Sequence, residues 1–188
     1  MYNQKLEINF KNLYGTRINL ESVDEGGLMD MHEYSTMSIF YKYLEYDPFI
    51  TLNDTKNYLK KIIHISKSES GHYWFIKLKE ENKIIGTFDI INVDKKRSSC
   101  EIGYGLSPKY WNQGFFKESL CIMLQYLFND LNMHRVSAKT HANNLPSIAG
   151  LQSMGFKKEG IMRDFYVSND GTRHNAILLS ILKHEFQN

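Results

Sequence analysis

The sequence predicts a single α/β (α+β) domain in which a mixed, mostly antiparallel sheet of six to seven strands carries helices on both faces. The order of local signals supports this: strand, helices, three strands, helix, strand, helix and two strands. In addition, 188 residues with 42% hydrophobic content suit one domain with a sizeable core. Residues 1–188 are therefore treated as one domain.

The first part of the chain combines one strand, helical segments and a strand meander. Residues 16–23 alternate apolar and polar side chains, as a half-buried strand does. Residues 24–46 read as a broken helix, and Leu52–Asp54 are expected to cap a second helix that ends near Ser66. Three strands joined by polar turns follow, at residues 73–78, 83–93 and 99–106. Residues 1–12 are expected to be flexible or to add an edge strand.

The second part alternates helices and strands. We expect helices at residues 115–128 and 145–154, and strands at residues 135–141, 156–167 and 176–182. Gly155 is typical of a residue that ends a helix, and Asn169–Gly171 is typical of a hairpin turn. This half therefore adds three strands and two helices to the meander.

Composition excludes several function classes. A net charge of +2 without a run of five or six like charges argues against a nucleic-acid or membrane-surface partner. Cys100 and Cys121 form neither a metal spacing nor a disulfide framework, and His134, His141 and His174 also lack metal-ligand spacing. No apolar stretch resembles a signal peptide or a membrane helix. These features predict a cytoplasmic protein with no metal and no membrane association.

The stretch WNQGFF, residues 111–116, joins a strand to a helix and contains one glycine. Such a junction presents free backbone N–H groups at a helix N-terminus, and Gly114 allows a ligand to approach closely. This indicates a cradle for a phosphate or pyrophosphate. An ordinary connecting loop is the alternative, because one glycine makes neither a P-loop nor a dinucleotide fingerprint.

A second motif, NNLPSIAGLQSMGF, begins about 30 residues later at Asn143. It places Asn144 and Ser147 one turn apart at the start of a helix, on one side. For Asn144 alone, a helix N-cap is an equally simple interpretation. The two motifs at this separation are harder to explain by chance.

Together these residues resemble the GNAT superfamily of N-acetyltransferases, and most closely its RimJ/RimL type. The resemblance covers the chain from about Thr16 and is densest from Cys100 to Arg163. The motifs that carry it are EIGYGLSP at residues 101–108, YWNQGF at 110–115, HRV at 134–136, NLPSI at 144–148 and MGFKKEG at 154–160.

The resemblance implies acetyl-CoA as co-substrate, held between two splayed strands. Pantetheine would pair with Leu106 and Ser107, and Asn144 would hydrogen-bond the same arm. The pyrophosphate would lie on the amides of the loop. The loop residues assigned to the cofactor are Trp111, Asn112, Gln113, Gly114, Phe115, Phe116 and Lys117. Phe116 departs from the family pattern, which usually has a small residue there.

For catalysis the resemblance implies Glu101 as general base, on the same strand face as Gly103 and Gly105. The alternative is a surface glutamate paired with a lysine. Many members have a tyrosine that protonates the thiolate, and Leu151 occupies that position here. Ser147 is therefore expected to take over the role of the tyrosine. A polar residue that only bonds the local helix backbone is the alternative for Ser147. His141 is either a proton relay or, more simply, structural.

The acceptor is expected to be a primary amine, in a protein N-terminus, a polyamine, an antibiotic or an amino sugar. Tyr41, Tyr43 and Tyr46 fall in the segment that lines the acceptor pocket in this family, although helix packing explains them equally well. A homodimer is a further expectation, since dimers are common among the relatives. A non-catalytic coenzyme A-binding sensor or partner module is the alternative function, and a phosphate-binding domain of another family is a weaker one.

Overall fold

The computed structural model describes residues 10–68 and 71–186, which contain eight strands and four α-helices. The expectation for residues 1–12 falls mostly on residues 1–9, outside the described residues. The strands are β1 (Leu13–Tyr14), β2 (Ile18–Ser22), β3 (His72–Leu78), β4 (Lys83–Asp94), β5 (Ser99–Leu106), β6 (Arg135–His141), β7 (Lys157–Val167) and β8 (Arg173–Leu182). The helices are α1 (Leu28–Ser35), α2 (Leu52–Ile65), α3 (Phe115–Gln125) and α4 (Leu145–Gln152). None of the helices in these residues is long and apolar enough to cross a membrane.

All eight strands belong to one sheet, in the order β1-β2-β3-β4-β5-β6-β8-β7. Every neighbouring pair is antiparallel except β5 and β6, which run parallel. The predicted mixed, mostly antiparallel sheet and its three-strand meander are therefore confirmed. The sheet has one strand more than expected, because Leu13 and Tyr14 pair with β2 as a two-residue edge strand.

Helices cover both faces of the sheet, as predicted. On β3, Trp74 is buried in the larger apolar cluster together with Leu120 of α3. Its neighbour Phe75 points to the opposite face and is buried with Met31 of α1 and Leu59 of α2. The period-2 alternation of a strand thus separates a core under α3 from a smaller core under α1 and α2.

Local hydrogen bonds explain where the elements begin and end. The N-cap of α2 is Thr51 rather than the predicted Leu52–Asp54 group, because Thr51 and Asp54 form a reciprocal capping box. The helix predicted at residues 115–128 begins as expected, but its final turn, Tyr126–Asp130, is π-helical. The broken helix predicted over residues 24–46 consists of α1 between two short 3₁₀ turns. These differences leave the predicted order of elements unchanged.

Candidate functional site

The sheet opens between its two parallel strands. β5 and β6 pair only through Ser99–Ile102 and Arg135–Ala138. Beyond that point, residues 103–106 pair with β4 and residues 139–141 pair with β8. The backbone edges of residues 103–106 and 139–141 therefore do not pair with each other, and we call the space between them the β5–β6 slot. An extended molecule with amide groups can enter it and pair with strand backbone.

The loop after β5 leads from this slot into the N-terminus of α3. Asn112 and Gly114 have positive φ angles of 59° and 82°, and the left-handed conformation at Gly114 is one that glycine adopts readily. Gly114 is the N-cap and offers no side-chain cap. The first helical bond runs from the Glu118 amide to the Gly114 carbonyl at 3.0 Å. Within the described chain, the amides of residues 115–117 therefore have no helical acceptor and form a site suited to an anion.

Side chains from distant parts of the sequence fix this loop. Arg17 donates from its guanidinium to the Glu118 carboxylate at 2.8 Å and to the Gln113 carbonyl at 3.0 Å. Glu118 also accepts the backbone amide of Arg17 at 2.7 Å. The Trp111 indole N–H donates to the Leu106 carbonyl at 2.7 Å. The loop backbone is thus tied to β2 on one side and to the end of β5 on the other.

The two backbone positions assigned to pantetheine differ in what they can offer. Ser107 is buried, its amide donates to the Ile85 carbonyl at 2.7 Å, and its carbonyl accepts the Tyr110 amide at 2.9 Å. Leu106 lies on the slot edge, although its carbonyl already accepts the Trp111 indole. Ser107 therefore supports the loop, and the strand edge without a β6 partner lies at residues 103–106, where the Leu106 carbonyl is the group already bound by Trp111.

Phe116, the residue that departs from the family pattern, packs towards β5 and α4. Its ring centroid lies 4.4 Å from that of Tyr104. A Cβ added to Gly150 would lie 2.7 Å from the ring. Phe115 is buried in the core, whereas Lys117 is exposed. The Phe116 side chain is thus used for packing, and its backbone amide remains at the start of α3.

The N-terminus of α4 brings two hydroxyl groups together at the slot. Asn144 is the N-cap, and its Oδ1 accepts the Ser147 amide at 3.3 Å. The Ser147 hydroxyl lies 2.7 Å from the Tyr104 hydroxyl, and Leu151 is fully buried. Burial raises the pKa of Tyr104, which keeps the hydroxyl protonated at neutral pH. The sequence prediction missed Tyr104, although a tyrosine on the core face of a strand needs a partner for its hydroxyl.

Glu101 lies on the sheet face opposite Tyr104, next to the slot. Its carboxylate is paired with Lys139 at 2.8 Å and accepts a hydrogen bond from the Asn92 amide group at 3.2 Å. Its side chain is 14% exposed. The lysine-paired alternative thus describes its contacts in this state. To receive a proton from a substrate, Glu101 must first lose Lys139 or share its carboxylate.

Asp89 is a second carboxylate on this face that the sequence prediction missed. It lies directly across from Gly103 in the β4–β5 register, and an added Cβ on Gly103 would come within 2.6 Å of its carboxylate. Burial, followed by the charge of Glu101, raises the pKa of Asp89 to about 7. The available signal was an acid within the mostly apolar stretch IIGTFDII of β4.

The three tyrosines assigned to the acceptor lie in different surroundings. Tyr41 is 6% exposed and packs against Tyr46 and Phe49, with ring centroids 5.7 and 5.8 Å away. Tyr46 is 41% exposed and packs on Tyr58 at 6.1 Å. Tyr41 and Tyr46 line a cavity of about 320 Å³ that reaches the turn after β7 at Asn169.

Tyr43 belongs to a separate aromatic group at the end of β6. Its ring lies 5.3 Å from that of His141, which also contacts Tyr166 at 6.1 Å and His174 at 4.8 Å. His141 Nδ1 accepts the Asn143 amide at 3.1 Å. Burial, followed by the charge of His174, lowers the pKa of His141. His141 is thus buried among partly exposed rings and has the contacts of a structural histidine.

Sequence comparisons identify proteins that are related to this chain. Residues 17–157 match the family model described as the acetyltransferase (GNAT) domain. The chain is 30% identical over 174 residues to the uncharacterized N-acetyltransferase p20 of Bacillus licheniformis. The aligned region covers 93% of this chain and 97% of that protein. It is 28% identical over 124 residues to the [ribosomal protein uS5]-alanine N-acetyltransferase of Escherichia coli, which covers 65% of this chain and 63% of the relative.

A solved structure has the same fold at low sequence identity. The spermidine N-acetyltransferase of Vibrio cholerae, in complex with CoA and spermine, superimposes with a TM-score of 0.77. The two chains are 19% identical, and the match covers 92% of this chain and 99% of the other. At this identity the likeness establishes the fold alone.

Proposed function

Since this chain belongs to the GNAT acetyltransferase family and is an N-acetyltransferase that uses acetyl-CoA, we propose that it acetylates a primary amine that attacks the thioester directly. The β5–β6 slot, which opens beside the uncapped N-terminus of α3, is the observation that carries this proposal. Strand edges suit the amides of a pantetheine arm, and free helix amides suit a pyrophosphate. Pantetheine and pyrophosphate are neighbouring parts of coenzyme A, and the slot and the α3 N-terminus are likewise next to each other.

The chain offers a consistent set of groups for that molecule. The amides of residues 112–116 would receive the pyrophosphate, with Lys117 beside it and Trp111 holding the loop to β5. The edge at residues 103–106 would pair with pantetheine. Asn144 uses its oxygen as the helix cap, which leaves its amide nitrogen to donate to the same arm. Phe116 packs on Tyr104, so its ring does not prevent its amide from taking part.

The bound co-substrate supplies an acetyl thioester, and the chain must then handle two protons. Ser147 and Tyr104 form a hydroxyl pair on the α4 side of the slot. We assign to Ser147 the donation of a proton or hydrogen bond to the departing thiolate, with Tyr104 orienting the Ser147 hydroxyl. A single hydrogen-bonded pair thus takes the role that Leu151 cannot fill.

Glu101 is assigned as the group that accepts the proton of the attacking amine. Glu101 lies one residue before the pairing of β5 with β6 ends, so its carboxylate is next to the slot. The Asp89 carboxylate and the Phe40 ring occupy the space above Gly103 and Gly105, and they border the acceptor together with Glu101. Lys139 holds it in the resting state at 2.8 Å. A cationic acceptor can compete with Lys139 for this carboxylate, which would release Glu101 for proton transfer.

The acceptor is proposed to lie against Tyr43 and Tyr46, and the Tyr41 ring packs against the ring of Tyr46. Relatives act on two kinds of amine that fit this description. One is named for alanine of a ribosomal protein, and another for spermidine. A protein N-terminus and a polyamine are therefore the first acceptors to examine.

A second candidate function, a coenzyme A-binding module without catalysis, is favoured by the ion pair between Glu101 and Lys139 and by Leu151 at the usual position of the tyrosine. The two functions are separated by measuring thiol release from acetyl-CoA with a panel of amines, including spermidine and a peptide that begins with alanine. Turnover, with the acetylated product seen by mass spectrometry, supports the enzyme. Tight coenzyme A binding without any turnover supports the binding module.

Two variants test the assignment of Glu101. Glu101→Gln is expected to lower kcat by about 10²-fold or more if the carboxylate accepts the proton. Lys139→Met is the matched control, since it breaks the same ion pair but keeps the carboxylate. Equal losses in both variants would mean that the ion pair, rather than the base, supports activity.

A further inference from the structure

Asp89 is a largely buried acid whose carboxylate has no partner in the part of the chain that the structure describes. The residue is 9% exposed, and no donor among residues 10–68 and 71–186 forms a hydrogen bond or ion pair with the carboxylate. Leaving a carboxylate without hydrogen bonds in the interior is expensive, and such groups are normally paired. Glu101, the neighbouring acid, follows that rule through Lys139, whereas Asp89 does not.

The position of this carboxylate is specific. It lies against Gly103, with its two oxygens 2.6 and 2.7 Å from where a Cβ would be. Gly103 is the first residue of β5 beyond the pairing with β6. Asp89 therefore borders the mouth of the β5–β6 slot, on the face that also carries Glu101.

Tyrosine side chains lie near the carboxylate on this face of the sheet. Tyr73 lies across from Asp89 in the β3–β4 register, and the charge of Asp89 contributes to raising the pKa of Tyr73, Tyr46 and Tyr58, after burial. Tyr46 is the outermost of these rings. A carboxylate among aromatic rings is a site suited to an organic cation, which gains both charge pairing and contact with ring faces.

We propose that Asp89 binds the ammonium group of the acceptor, so that the acceptors are cationic primary amines with no carboxylate next to the amine. This inference rests on the proposed function, because it concerns the amine that enters the same site. Once Asp89 is ionised, Asp89 and Glu101 present two negative charges against the single positive charge of Lys139. An ammonium group supplies the missing positive charge, whereas the carboxylate of a free amino acid would be repelled.

The binding should depend on pH in a defined way. Asp89 attracts a cation only when it is ionised, and the groups that face it are Glu101, Tyr46, Tyr58 and Tyr73. The tyrosines remain neutral around pH 7, since burial raises the pKa of each. The KM for the amine should therefore fall as the pH rises from 6 to 8, and this fall should be absent in Asp89→Asn.

The first arm of the test is kinetic. Asp89→Asn is expected to raise the KM for the best amine of the panel at pH 8 by roughly tenfold to a hundredfold, the range for a hydrogen bond to a charged group. The KM for acetyl-CoA should stay the same. Asp94→Asn makes the same substitution at the last residue of the same strand, where the side chain is 32% exposed and paired with Arg97, and should leave both values unchanged. An unchanged amine KM in Asp89→Asn would overturn the inference.

The second arm does not require turnover. The carboxyl carbon of Asp89 is followed by NMR in the coenzyme A-loaded protein, with propylammonium chloride and with neutral 1-propanol as probes. Binding at Asp89 predicts that propylammonium lowers its pKa and that propanol does not. A shift without turnover of any amine would refute the catalytic function and keep the cation site. Turnover without a shift would refute the cation site alone, and the absence of both would refute both.

Discussion

Replacing Asp89 with asparagine removes a charge from the protein interior at nearly constant side-chain volume. Burial, followed by the charge of Glu101, raises the pKa of Asp89 from 3.8 to about 7. The folded protein thus keeps a proton on Asp89 over a pH range in which the unfolded chain has released it. The wild-type free energy of unfolding should therefore include a pH-dependent contribution from Asp89, and the asparagine variant should lack it.

The size of this term follows from proton linkage. Between about pH 4 and pH 7 the folded state binds more protons at this site than the unfolded state, so its contribution to stability falls as the pH rises. A shift of about three units corresponds to about 4 kcal/mol. Asp89→Asn should therefore match the wild type near pH 4 and exceed its free energy of unfolding by about 4 kcal/mol at pH 8.

Urea unfolding at pH 4.5, 6 and 8 measures the difference between variant and wild type. The difference cancels the titration of all other groups, and 4 kcal/mol corresponds to a midpoint shift of roughly 2 M urea. Asp94→Asn should show the opposite sign, because the hydrogen bonds from Arg97 lower the pKa of Asp94 and its ionised form stabilises the fold. A difference for Asp89→Asn that is constant from pH 4.5 to 8, or that favours the wild type at pH 8, would refute the reasoning.

Three further outcomes can be measured. Gly150→Ala places a Cβ 2.7 Å from the Phe116 ring and should lower the free energy of unfolding by about 1–3 kcal/mol, measured by urea titration, with less loss in a Phe116→Leu background. Arg17→Ala removes the bonds to Gln113 and Glu118 and should raise the KM for acetyl-CoA several-fold while changing the amine KM little. Tyr104→Phe should lower kcat less than Ser147→Ala in steady-state assays, because it removes only the partner of the proposed donor; a larger loss in Tyr104→Phe would reverse the two roles.

Much of the fold could be predicted because its signals are local. The predicted bounds of the strand at residues 135–141 and the predicted helix start at Phe115 agree with the structure. The capping box of Thr51 was within reach as well, since it depends on residues three apart. The two-residue strand β1 could not be predicted, because it is defined by its pairing with β2 and has no sequence pattern of its own.

The site was harder to predict because its contacts join distant residues. The motif residues at the loop and at Asn144 were identified from short patterns, but the pairing of Glu101 with Lys139 depends on the register between β5 and β6. The hydroxyl pair of Tyr104 and Ser147 joins residues 43 positions apart. Asp89 is the clearest example of a residue that the sequence could not identify, because its role follows from its position against Gly103 on the neighbouring strand.

The short pairing between β5 and β6 has a mechanical consequence. It links strands β1–β5 to strands β6–β8 through four residue pairs, whereas the adjoining pairs, β4 with β5 and β6 with β8, have seven each. A small rotation of one block against the other would change the width of the slot while disturbing few backbone hydrogen bonds. We therefore expect the sheet to deform first at this seam when a long cofactor enters, because fewer residue pairs join the strands there than on either side.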